Sequence, residues 1–123
     1  MRGVSLWFFA TGVLFAVLGM IWGIQMSATA DHTLSPAHAH LNLLGFVVFA
    51  LAGLYYHLVP RAAEGPLAKA HYVLALLGVG MIVPGIVQAV HETSETLAKG
   101  GSFLTVLAMV LFLVIVLRHR TAA

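Results

Sequence analysis

The sequence predicts an all-α membrane protein, with four transmembrane helices forming a single domain over residues 1–123. Composition is the first observation. Hydrophobic residues make up 61% of the chain and charged residues only 8%, where soluble domains carry roughly a quarter charged residues. The second is the distribution of apolar residues, which fall into four runs: Val4–Met26, His38–Val59, Ala70–Val90 and Phe103–Leu117. Each has, or nearly has, the length to cross a hydrocarbon core of about 30 Å at about 1.5 Å per residue. The third is a physical constraint. Backbone polar groups in lipid must be satisfied within the segment, and helices do this.

The first run follows Arg2 and ends near Ser27-Ala28-Thr29-Ala30, so it superficially resembles a secretory signal with a small-residue cleavage site. It exceeds the roughly 7–15 apolar residues of such a signal and is expected to stay as a helix. Gly12, Ala16, Gly19 and Gly23 form one stripe along it. The Gly19/Gly23 pair permits close helix approach, either for ordinary packing or as a groove for a flat cofactor. Trp7 and Trp22 suit interfacial belts at its two ends.

Ser35-Pro36 is a plausible start for the second helix, since proline is tolerated in a first turn, and Pro60 ends it. Gly65-Pro66 breaks the next loop. Pro84 is expected to kink the third helix unless a neighbour satisfies the freed carbonyl. Lys99-Gly100-Gly101 is read as a break before the fourth and shortest run, whose ends, Ser102 and Arg118, are placed near the interface.

Charge sets the expected orientation. Arg2, Arg61, Lys69, Arg118 and Arg120 flank the two termini and the middle loop. The opposite side has only Lys99, with Asp31, Glu92 and Glu95. The bias of basic residues predicts cytoplasmic termini and a multi-pass protein of a bacterial cytoplasmic (inner) membrane, with the bilayer as its solvent. A net charge of +2 is too small to argue for nucleic acid. The absence of cysteine excludes disulfides, thiolate metal sites and covalent c-type haem.

The compositional oddity is seven histidines against four acidic residues. His32, His38, His40 and His91 fall towards the outer side; His57, His71 and His119 fall towards the cytoplasmic side. His38 and His40 open the second helix in Ala37-His38-Ala39-His40-Leu41-Asn42-Leu43-Leu44-Gly45. At about 100° per residue they are separated by about 200°. They cannot bind one metal ion together, nor the two faces of one haem. His38 shares a side with Asn42, Gly45 and Phe49, and His40 with Leu44, Val47 and Leu51. Imidazole is a good axial ligand for haem iron. The alternative is two interfacial histidines hydrogen-bonded to water or backbone.

His38-Ala39-His40 followed by Phe49-Ala50, Gly53, His57 and Pro60 resembles the ligand-bearing tenth helix of haem–copper oxidase subunit I. The stretch from His40-Leu41-Asn42-Leu43-Leu44 to Tyr55-Tyr56 and Leu58-Val59-Pro60 is similar to the second helix of the related nitric oxide reductases. The resemblance covers about a fifth of the chain. It implies that His38 and His40 are haem-iron ligands on opposite sides of one helix, with Asn42 and Gly45 beside the cofactor. The family's catalytic subunit has twelve helices in pseudo-threefold arrangement, so four helices resemble one third of it. A homotrimer would rebuild the twelve-helix body, with a b-type haem between His38 of one copy and His40 of the next. The implied role is electron transfer, between quinol and a periplasmic partner.

Departures from the family limit what carries over. The chain has no His-His pair and no Tyr–His crosslink motif, and no carboxylate falls in mid-helix. Copper is therefore not supported and proton pumping is not expected, although the oxidoreductase class stays open and no catalytic residue is identified. His91, with Glu92 and His32, is the remaining candidate for copper or zinc, against a plain solvated loop. His57 and His71 are read as interfacial anchors. The competing readings are an oxygen- or nitric oxide-reacting enzyme, a haem-binding sensor or assembly protein without redox turnover, and a purely structural bundle.

Overall fold

The computed structural model describes residues 1–121. It contains four helices long and apolar enough to cross a membrane, which we number α1 (Val4–Thr29), α2 (Ser35–Leu58), α3 (Pro66–Val90) and α4 (Thr96–Arg118). There is no strand among the described residues. A short 3₁₀ turn, Pro60–Ala63, links α2 to α3.

The helices exceed the apolar runs because polar residues extend their ends. Ser35-Pro36 opens α2 and Pro66 opens α3, since a fixed φ and a missing N–H cost nothing in a first turn. α3 runs through Pro84 without a break in helical assignment. One expectation fails. Lys99-Gly100-Gly101 is not a break; it lies in the first turns of α4. A side chain on Gly101 would collide with the Ile82 backbone, so this glycine serves close packing rather than a loop.

Within α2, residues Leu41–Val47 form a π-helical stretch. Such stretches are rare and frequently found at functional sites. Here the wider turn has a visible packing consequence. Ala37, Leu41, Gly45 and Phe49 are all buried, at spacings of four. In an ideal α-helix each four-residue step drifts by about 40°. The π stretch absorbs that drift and keeps the four on the packed side.

The bundle is two tightly joined hairpins meeting at a looser seam. In the first, α1 and α2 approach through glycines: Gly12 lies under Phe49, Gly45 under Phe15, and Gly53 against the Phe9 backbone. In the second, Gly78 lies against Thr105 and Gly85 against Ala98. Small residues let helices gain dispersion contacts where lipid removes any hydrophobic drive to associate. The seam is aromatic and centred on fully buried Phe8. Its ring is 5.3 Å from Phe49, 5.1 Å from Tyr72 and 4.6 Å from His71. Tyr72 OH is 2.8 Å from Thr11 Oγ1, a hydrogen bond between α3 and α1.

Ser5 of α1 donates to Gly53 O of α2 at 2.9 Å, and Phe112 of α4 packs on Tyr55 and Tyr56. The start of α1, the end of α4 and the α2–α3 turn therefore share one end. The α1–α2 and α3–α4 connections share the other, which is the end bearing His38 and His40.

Leucine at Gly85 or Gly101 is expected to destabilise the α3–α4 hairpin by about 1–3 kcal/mol or more through overpacking. The neighbours that would have to move are backbone. Gly80 has open space around it, and Gly80→Leu should stay within about 0.5 kcal/mol of wild type. Reversible unfolding in detergent micelles measures all three.

Candidate functional site

The two histidines of α2 point to different neighbours, as their spacing requires. His38 faces α1. Its Nε2 is 2.9 Å from Gly19 O, so this nitrogen carries the proton and donates to the carbonyl. Its ring meets Trp22 edge-on at a centroid distance of 5.8 Å. Asn42, one turn on, donates from Nδ2 to His38 O at 2.8 Å. The side chains of His38 and Asn42 fill the niche left by Gly19 and Gly23. A Cβ on Gly19 would fall 2.6 Å from Asn42 Oδ1, and one on Gly23 would fall 3.3 Å from His38 Nε2. The small-residue stripe of α1 is thus occupied by α2 rather than left as a groove for a flat cofactor. Gly45 is buried on the same side, under Phe15.

His40 is turned away from this niche. Its Nδ1 donates to Pro36 O at 2.7 Å, within its own first turn. This bond fixes the tautomer and leaves the Nε2 lone pair free. A metal-ligating histidine is usually oriented in this way. Around it, Leu43, Val47 and Leu51 form an exposed apolar strip, with Leu51 59% exposed. Leu44, on the same face, is half-buried and borders a cavity between α2, α3 and α4.

At the same end, Thr33 donates to Asp31 Oδ1 from its hydroxyl (2.6 Å) and its backbone N–H (3.0 Å). These bonds hold the exposed Asp31 carboxyl below its ordinary value, with smaller contributions from His32 and His91. Both loops lie at this end of the bundle. Even so, no three His, Asp or Glu residues come together to hold a metal ion among the described residues, and His32, His91 and Glu92 do not form such a set. His91 is exposed, and its backbone N–H closes α3 on Val87 O.

One histidine occupies a place the sequence did not suggest. His71 is not an interfacial anchor; it is 1% exposed, a turn and a half into α3. Tyr56 OH is 2.8 Å from its Nδ1. Its ring stacks on Phe112 at 4.6 Å and 16° and touches Phe8 on the other side. An ionisable group at membrane depth faces the bundle interior and needs a partner, and Tyr56 supplies one. His71 also lines the cavity that Leu44 borders, with Thr105 and Met109 on the α4 side. That cavity is about 20 Å³, enough for one water molecule. His57, by contrast, is exposed at the end carrying the termini.

Compared with protein-family models, curated proteins and solved structures, the chain matches none.

Tyr56→Phe strips the buried His71 of its partner and is expected to destabilise the fold by about 1–3 kcal/mol. In a double-mutant cycle with His71→Phe, the coupling should be about 0.6 kcal/mol and at most about 1.7, the average and the maximum for hydrogen bonds between membrane helices. Thermal unfolding of the four proteins reads it. Zero coupling would mean that the bond contributes nothing beyond packing.

Proposed function

We propose that this chain is a membrane haem protein of b type, a short relative of haem–copper oxidase subunit I, that transfers electrons as a homotrimer. The observation that carries the reading is His40. Its Nδ1 is committed to Pro36 O, its Nε2 is free, and the surface around it is apolar and uncovered. A low-spin haem cycles between Fe(III) and Fe(II) and so passes single electrons. In this reading Nε2 of His40 holds the iron. The carbonyl of Pro36 keeps the imidazole in the ligating tautomer and raises its basicity. The strip of Leu43, Val47 and Leu51 shields the macrocycle from water.

His38 does not fit the role of second ligand as it stands, because its Nε2 is bonded to Gly19 O. Ligation by His38 of a neighbouring copy requires that bond to be given up on assembly. The same observation favours a second reading. If His38 stays in its niche, His40 would be the sole protein ligand, and the chemistry a haem would supply there is reaction with oxygen or nitric oxide. In both readings the end with the termini and basic residues is cytoplasmic by the positive-inside bias, the membrane is a bacterial inner membrane, and quinol or a periplasmic protein exchanges the electrons.

Absorption spectra of the purified protein, oxidised and dithionite-reduced, with and without carbon monoxide, test this. A low-spin haem unaffected by carbon monoxide is expected, and carbon monoxide binding selects the second reading. His40→Ala should abolish the Soret band in either case. His38→Ala should leave a high-spin, carbon monoxide-binding haem, and His57→Ala should change nothing. A wild-type protein without a Soret band, or His40→Ala that keeps it, refutes the proposal.

A further inference from the structure

At the end carrying the termini, a cavity of about 500 Å³ opens between the start of α1, the end of α2 and the 3₁₀ turn. Its apolar lining is Met1, Tyr56, Pro60 and Ala63. Its polar wall is Arg2, His57 and Glu64. Ser5, also on the wall, has its hydroxyl committed to Gly53 O. Arg2 and Glu64 share the cavity without pairing. Among the described residues the one salt bridge is Lys99–Glu95, at the other end. A guanidinium and a carboxylate that face one cavity but do not neutralise each other complement a ligand carrying an anion and a cation on one short skeleton.

The position narrows the ligand class. The cavity lies where α1 begins and α2 ends, at the level where apolar spans give way to polar residues. Leu58, next to His57 at the end of α2, is 77% exposed, so acyl chains have apolar surface to lie along at this level. A phospholipid bears its charges at this depth. Phosphate suits Arg2, which presents a planar fork of donors, with His57 as a further donor. A primary ammonium suits Glu64, because an –NH₃⁺ group donates up to three hydrogen bonds. A quaternary ammonium donates none, and a glycerol headgroup has no cation.

We propose that this cavity is a binding site for a phospholipid whose headgroup carries a primary ammonium, phosphatidylethanolamine being the simplest, with Arg2 on the phosphate and Glu64 on the ammonium. The site is independent of any haem at the opposite end.

Native mass spectrometry of the protein released from nanodiscs of equal phosphatidylethanolamine, phosphatidylcholine and phosphatidylglycerol tests this. One phosphatidylethanolamine per chain should be retained in preference to the other two. Glu64→Gln should lower the ethanolamine-to-choline ratio by about tenfold, the worth of one charge-assisted hydrogen bond. Arg2→Gln should weaken retention of all three lipids alike. Both residues are exposed, so the variants keep the fold, which circular dichroism confirms. Equal retention of phosphatidylcholine, or an unchanged ratio in Glu64→Gln, overturns the proposal. So does displacement of the lipid by free phosphoethanolamine, which would make the ligand a soluble phosphate ester.

Discussion

The arrangement of this protein depends on how closely α1 approaches α2. Gly12, Gly19, Gly45 and Gly53 remove the Cβ atoms that would hold the two backbones apart. In lipid, helix association rests on dispersion and on hydrogen bonds between helices, so this close approach is the main source of cohesion in the first hairpin. It also decides the chemistry of the histidine pair. Because Gly19 leaves its carbonyl within reach, His38 donates to it and is drawn into the bundle. His40, about 200° away around the helix, is left outside with a free Nε2.

The two hairpins differ from the seam between them. Inside each hairpin, glycines bring the helices to backbone contact. Across the seam, large rings do the packing: Phe8 against His71 and Tyr72, Phe49 against Tyr72, and Tyr56 against His71 and Phe112. A small cavity remains beside His71, lined mainly by aliphatic side chains of α2, α3 and α4. The bond from Tyr56 to His71 satisfies a polar group that membrane burial would otherwise leave without a partner. No buried side-chain nitrogen or oxygen lacks a partner among the described residues. The seam therefore combines tight polar bookkeeping with loose packing.

Some of this was legible in the residues themselves. Apolar length fixed four spans, because only a run of about 20 residues covers the hydrocarbon core. Helical pitch fixed that His38 and His40 point apart, and that His38 lies with Asn42, Gly45 and Phe49; that face does pack against α1. The helix ends were harder, since polar first turns carry no hydropathy signal. Gly100 and Gly101 look like a loop because glycine is permissive, yet the same missing Cβ permits close packing. His71 was misplaced for a related reason. Its place at the start of the third apolar run suggested an interface, but α3 starts at Pro66 and carries it inside. The cluster of Phe8, Tyr56, His71 and Phe112 draws on all four helices, and no local pattern exposes it.

What the sequence alone determined was a set of one-dimensional quantities: the number of spans and the angle between two neighbouring histidines. These follow from length and pitch. What only the tertiary structure decided was that His38 Nε2 is bonded across a helix contact. That depends on one carbonyl, Gly19 O, lying 2.9 Å from His38 Nε2 across a helix contact. Such a contact joins residues far apart in the chain, through backbone surfaces that glycines uncover, and no feature of the local sequence encodes it.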